Sequence, residues 1–165
     1  MKKFILALLV ALPLSAFAQK FAHFNSADVI KAMPEYTAAQ TEIQNQSKQY
    51  EDELNRMSEE LKTKAADYEK NQATMVDAVK QRREQELADL QQRMQQYYQT
   101  SQQELQKVQT EKMQVISDKV AKVVKEIGDT GNYVYIMDVT SGIPYISTTL
   151  STDVTSQVKS KLGLK

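Results

Sequence analysis

The side chains able to carry chemistry are few. One histidine, His23, and no cysteine occur in 165 residues, which leaves too few nitrogen or thiolate ligands for a zinc site. Carboxylates do cluster, as Glu51-Asp52-Glu53 and Glu59-Glu60. They are interleaved with Lys and Arg on a predicted helix, so they read as a solvated face without the cleft that paired glycosidase carboxylates require. No glycine-rich phosphate loop is present. The expectation is therefore no enzyme, no catalytic residue, no cofactor and no metal.

What remains is binding chemistry. Met57, Met75, Met94 and Tyr98 are candidate contacts for a partner of no fixed shape, to which flexible thioethers adapt. The methionines also match the heptad phase of a helix seam, where they would fill a core. If Tyr97 faces that seam, its neighbour Tyr98 is turned by ~100° and does not. Lys80, Arg82 and Arg83 form a basic cluster that fits either an anionic surface or an ordinary charged helix start.

These residues need long helices to position them. Neither glycine nor proline occurs between Pro34 and Gly128, and one straight helix of that span would reach roughly 140 Å at ~1.5 Å per residue. Ile43, Tyr50, Leu54, Met57, Leu61, Tyr68, Met75 and Val79 form one near-heptad stripe. Leu87, Leu90, Met94, Tyr97, Ser101, Leu105 and Val108 form another, which continues after a slip of phase through Met113, Ile116, Val120, Val123 and Ile127. Each narrow stripe needs a partner, so two antiparallel arms over 36–127 are expected. The tip falls near 71–79, where Asn71 and Thr74 are poor helix formers. The glutamine-rich stretch from Gln91 to Gln109 belongs to the second arm.

The chain ends change character. Met1-Lys2-Lys3, the apolar run Phe4 to Leu14 and Ala16-Phe17-Ala18 match the three parts of a secretory signal over 1–18, cleaved after Ala18. The apolar run is far short of the ~20 residues that a membrane span needs. Losing Lys2 and Lys3 leaves a nearly neutral chain, which argues against nucleic-acid binding. Phe21-Ala22-His23-Phe24 reads as a strand, and "NSADVIKAM" as a short helix with Ser26 as its cap and Pro34 at its end. "YVYIMDV" and, after the turn Thr140-Ser141-Gly142, "IPYIST" read as strands, the second at an edge because of Pro144. "DVTSQVKSKL" reads as a final helix capped by Thr155, with Val158 and Leu162 inward. The fold class is α+β, with strands from both ends (19–35 and 128–165) sharing one sheet around the helical excursion. A head of roughly 55 residues without disulfides is marginal alone. Tyr133, Val134, Tyr135, Ile136 and Met137, apolar on both strand faces, are its candidate oligomer interface.

In order and spacing, "KFAHFNSADVIKAMPEY", "ELNRM", the Gln-rich returning arm, "YVYIMD" and "STDVTSQVKSKL" resemble the Skp/OmpH family of periplasmic outer-membrane-protein chaperones. The resemblance covers essentially the whole chain after the signal. It implies a homotrimer with a β-barrel-like body and three helical tentacles around a cavity, in which unfolded outer-membrane proteins are held without ATP. It also implies contact of the Lys80, Arg82, Arg83 cluster with lipopolysaccharide or anionic lipid. This chain departs from the strongly basic family members in being nearly neutral. The alternative from another class is a structural or adaptor coiled coil of the envelope.

A head too small to be stable alone should melt at a temperature that rises with protein concentration. Native mass spectrometry should then show a trimer at micromolar concentration, and a folded monomer there would contradict this expectation.

Overall fold

The computed structural model describes residues 19–164; the segment expected to be a signal, residues 1–18, lies outside the described residues. The chain runs β1 (Lys20–Phe24), α1 (Ser26–Ala32), α2 (Pro34–Asn71), a 3-10 turn (Gln72–Thr74), α3 (Asp77–Gly131), β2 (Tyr133–Asp138), a second 3-10 turn (Val139–Ser141), β3 (Ser151–Asp153) and α4 (Thr155–Lys161). It is mostly helical, with long helices and one small sheet. Two compact units are distinguishable, one of Ile30–Lys119 and one of the described residues up to Val29 together with those from Val120 onward.

The sheet unit is ordered β2-β1-β3. Both neighbours pair with β1 in parallel, Ala22 opposite Ile136 and Thr152, His23 opposite Met137 and Asp153. Paired residues share a face, so Ala22, Phe24 and Ile136 point one way and Phe21, His23, Tyr135 and Met137 the other. On the first face Ala22 and Phe24 are buried, as are Val29, Ile127, Val154 and Val158 of this unit. The last turns of α3 belong here. A Cβ on Gly128 would lie an ordinary 3.7 Å from Ile136 Cδ1, and Lys161 pairs with Glu126. On the second face the Phe21 and Tyr135 rings stack at 4.9 Å, while Tyr135 and Met137 remain exposed. Parallel sheets are ordinarily covered on both faces.

Four local expectations are corrected. Gly128 does not end the long helix; α3 runs on to Gly131, and the left-handed residue that stops it is Asn132, with φ 54°. Gly131 is needed for closeness, since a Cβ there would meet the Tyr133 ring at 2.4 Å. Asn25 rather than Ser26 caps α1, its Oδ1 accepting from the Asp28 N–H at 3.0 Å, because Ser26 is engaged by Asp138 and Thr140. The stretch "IPYIST" forms no strand. Gly142 turns the chain at φ 75°, Pro144 offers no N–H, and Ser147 Oγ accepts from the Leu150 N–H at 3.1 Å. The third strand is instead the short β3. At α4 the cap position is Val154 and not the expected Thr155, which is the first helical residue; the Asp153 carboxylate accepts from the Thr155 N–H at 2.9 Å and from its hydroxyl. Thr155 Oγ1 meanwhile accepts from the Asn25 N–H at 3.0 Å. Of the expected inward residues, Val158 is buried and Leu162 half-buried.

Two carboxylates thus stitch the C-terminal ends of the strands. Burial pushes the Asp138 carboxyl up, but hydrogen bonds from Ser26 and Thr140 together outweigh it and hold it below the ordinary value. The Thr155 hydroxyl holds Asp153 down, against burial, with the Thr155 N–H and nearby His23 adding to the effect. A depressed carboxyl stabilises the fold above its unfolded value of ~4, and that stabilisation is lost as pH falls through the folded value. The urea midpoint should therefore hold from neutrality to about pH 5 and fall below about pH 4. Combining Asp138→Asn with Asp153→Asn should lower it at neutral pH and flatten the acid limb. Parallel acid limbs in parent and variant would place the sensitivity elsewhere.

Candidate functional site

Within the unit Ile30–Lys119, α2 and the matching part of α3 run antiparallel. Lys119 pairs with Glu35, Lys112 with Glu42 at 2.7 Å, Tyr50 meets Tyr97 edge-on at 6.0 Å, and the Tyr68 hydroxyl donates to Glu84. That last bond raises the Tyr68 hydroxyl above its ordinary pKa, and the bond from Lys119 lowers Glu35. Between these ties lies a seam at steps of three and four. Ile43, Tyr50, Leu54, Met57, Leu61 and Tyr68 face Leu87, Leu90, Met94, Tyr97, Leu105 and Val108, nearly all of them only half-buried. Leu90, Ser101 and Ile116 are the buried members on α3. Ser101 avoids an unpaired hydroxyl by donating to the Tyr97 carbonyl at 2.7 Å. The expected phase slip does not interrupt the helix; Lys112 and Met113 are both half-buried between Val108 and Ile116.

The candidate client contacts divide. Met57 and Met94 sit half-buried in the seam, and Met75 is half-buried at the end of the 3-10 turn. Tyr98 stands off the seam, 54% exposed. Val79, placed on the first stripe by spacing, lies instead in the first turn of α3 and is 42% exposed. Beside it Val76 is 68% exposed, and further along Val115 is 69% exposed. Both were missed as surface residues, although their positions out of phase with the stripe signal it.

The basic cluster is not one patch. Lys80 lies 4.0 Å from Asp77 and Arg83 3.0 Å from Glu86, one turn apart on a shared face. Arg82 is exposed, has no ion pair among the described residues, and is rotated by ~100° from Arg83. Of the strand candidates, Tyr133 and Ile136 are half-buried, while Val134, Tyr135 and Met137 are exposed. Tyr135 and Met137 join Phe21, Ile143, Ile146 and Leu150 around an apolar groove of about 270 Å³. Tyr145 also lines the groove, and it and Leu150 are 79% and 76% exposed; the strand expected over 143–148 hid Tyr145. His23 Nδ1 lies 2.8 Å from Ser151 Oγ and ties β1 to β3. Among the described residues no cluster of His, Asp or Glu could hold a metal ion.

The family model described as outer membrane protein (OmpH-like) matches residues 20–162. Among solved structures, the chain is similar to an OmpH-like protein from Caulobacter crescentus CB15, named a candidate outer membrane chaperone. The TM-score is 0.75 at 13% identity, covering 87% of this chain and 83% of that one. At that identity the likeness shows the fold. No curated protein sequence matches at a significant level.

The seam geometry separates two adjacent tyrosines. Tyr97→Ala removes the Tyr50 contact and should cost about 1–3 kcal/mol in urea denaturation, whereas Tyr98→Ala should stay within about 0.5 kcal/mol. Equal costs would mean that Tyr98 is a packing residue and not free for a ligand.

Proposed function

The chain belongs to the OmpH-like family, and from that premise we propose that it is an ATP-independent periplasmic holdase for unfolded outer-membrane proteins. The observation that carries this reading is a long helical pair whose seam is thin and half-buried. It presents extended surface rather than an enclosed catalytic pocket. Weak contacts spread over such a surface suit clients without fixed shape, and a holdase needs neither nucleotide nor metal. That the similar Caulobacter protein is named a candidate outer membrane chaperone supports the same reading.

The proposal includes assembly. A parallel sheet with one apolar face open, carrying Tyr135 and Met137 beside Tyr145 and Leu150, is covered when subunits meet there, and a homotrimer would enclose a client cavity between its arms. The tip contacts anionic lipid or lipopolysaccharide peripherally. Its unpaired Arg82 contributes more than Lys80 and Arg83, whose charges are already engaged by Asp77 and Glu86.

Diluting a urea-denatured outer-membrane β-barrel protein into buffer with the mature chain should suppress light scattering without ATP. Undiminished aggregation at trimer excess would leave the envelope adaptor as the better reading. Arg82→Glu should weaken binding to anionic liposomes more than Lys80→Glu or Arg83→Glu, while leaving suppression of aggregation largely intact. An equal loss from all three would mean that the ion pairs open at the lipid surface.

A further inference from the structure

On α3 the charges are distributed unevenly around the helix. At ~100° per residue, Arg93, Glu104, Glu111 and Lys112 fall on the seam side or one flank of it, and Asp89 and Lys107 lie further out on that same flank, roughly 125° from the seam centre. From Ala88 to Ser117 the remaining face carries no Asp, Glu, Lys or Arg. It is built largely from glutamine. Gln92, Gln95, Gln99, Gln102 and Gln106 are exposed along it, and Tyr98 marks its edge. Among the described residues, Gln106 alone of these five amides has a side-chain partner, Thr110 at a long 3.5 Å. The outer surface of α2 differs, being laced with the pairs Lys48–Asp52, Glu53–Arg56, Glu59–Lys62 and Glu60–Lys64. Where this face meets the charged flank lies an open groove of about 760 Å³, lined by Gln102, Gln103, Gln106 and Thr110 together with Lys107 and Glu111.

We propose that this face of α3 docks extended, uncharged stretches of unfolded polypeptide through its glutamine amides, an inference that rests on the holdase reading. Each primary amide offers two donors and two acceptor lone pairs. A row of them without charge complements a partner that also carries both donors and acceptors and no charge. The backbone of an unfolded chain is such a partner, its N–H and C=O groups not yet paired with each other. Length agrees. Gln91 to Thr110 spans roughly 28 Å of helix at ~1.5 Å per residue, enough for ~9 residues of extended chain at ~3.3 Å each. That is close to the ~9–11 residues of one membrane-spanning β-strand. Tyr98 supplies an apolar ring at the strip's edge for the client's alternate side chains.

The test replaces Gln95, Gln99, Gln102 and Gln106 together in the whole mature protein, by Glu, by Lys or by Ala. Glu and Lys have helix propensity similar to Gln and Ala a higher one, so the helix is kept, and melting curves with native mass check the fold and assembly. Affinity is read with a fluorescently labelled, urea-denatured outer-membrane β-barrel protein at low and physiological salt. All three variants should bind at least about tenfold more weakly, with the parent's affinity nearly unchanged by salt. Opposite effects of Lys and Glu would show charge recognition and overturn the proposal. So would an Ala variant that binds like the parent, or variants that alter the assembly mass while keeping client affinity, which would assign the face to another copy of the chain. A parent that binds no client defeats the holdase reading itself, a result distinct from failure of the glutamine face. A photo-crosslinker at Gln99 should capture client and one at Ser58 on α2 should not; the reverse pattern would overturn the assignment even if a variant misfolds.

Discussion

Everything in the sheet unit depends on β1 being the middle strand and pairing in parallel with both neighbours. A parallel pair cannot be closed by a tight turn; the chain must cross over before it returns. Between β1 and β2 that crossover is wholly helical apart from short breaks, and an outgoing helix followed by an antiparallel returning one brings the chain back in the required direction. A crossover of about a dozen residues would satisfy that constraint; here it is a long helical pair. Among the described residues, one apolar face of this small sheet, with Tyr135 and Met137, is left exposed.

The helical pair is held differently from an ordinary core. Its contacts are a half-buried stripe tied by a few polar crossings, such as Lys112 to Glu42 and Tyr68 to Glu84. Exposed ion pairs of this kind contribute little individually, so the stripe itself supplies most of the cohesion. Because the stripe is narrow, most of each helix circumference remains available, and its chemistry can be chosen for binding. On α2 the exposed face is charged and internally paired, while on the middle of α3 the face from Gln92 to Gln106 is amide-rich, with only Gln106 of its five exposed glutamines bonded to another side chain among the described residues.

Much of this was legible in the sequence because long periodic patterns dominate it. The absence of glycine and proline from the helical span, the steps of three and four, and the weak helix formers at Asn71 and Thr74 lead to two helices with a break that the structure places at Gln72–Val76. Where the reading failed, tertiary contacts overrode local preference. Gly128 reads as a breaker, yet it is accommodated in α3 where the helix passes Ile136. Ser26 reads as a cap, yet Asp138 and Thr140, more than a hundred residues later, take up its polar groups and leave the cap to Asn25. "IPYIST" has the composition of a strand, but the turn at Gly142 and the Ser147 bonds use its backbone otherwise. The seam side of the candidate site was readable from periodicity. The uneven sharing of counterions between Lys80, Arg82 and Arg83 depended on side-chain geometry and was not.

The distance in sequence between β1 and its partners also sets an order of events during folding. The helices are made of contacts between residues three and four apart, which form fast, whereas closing the sheet must wait for strands separated by the whole excursion and carries the loop-closure entropy of that span. Whenever the chain appears N-terminus first, as in its synthesis, β1 comes early and has nothing to pair with until Tyr133–Asp138 and then Ser151–Asp153 follow. A chain that stops short of Tyr133 can therefore form its helices but holds no strand for β1 to join.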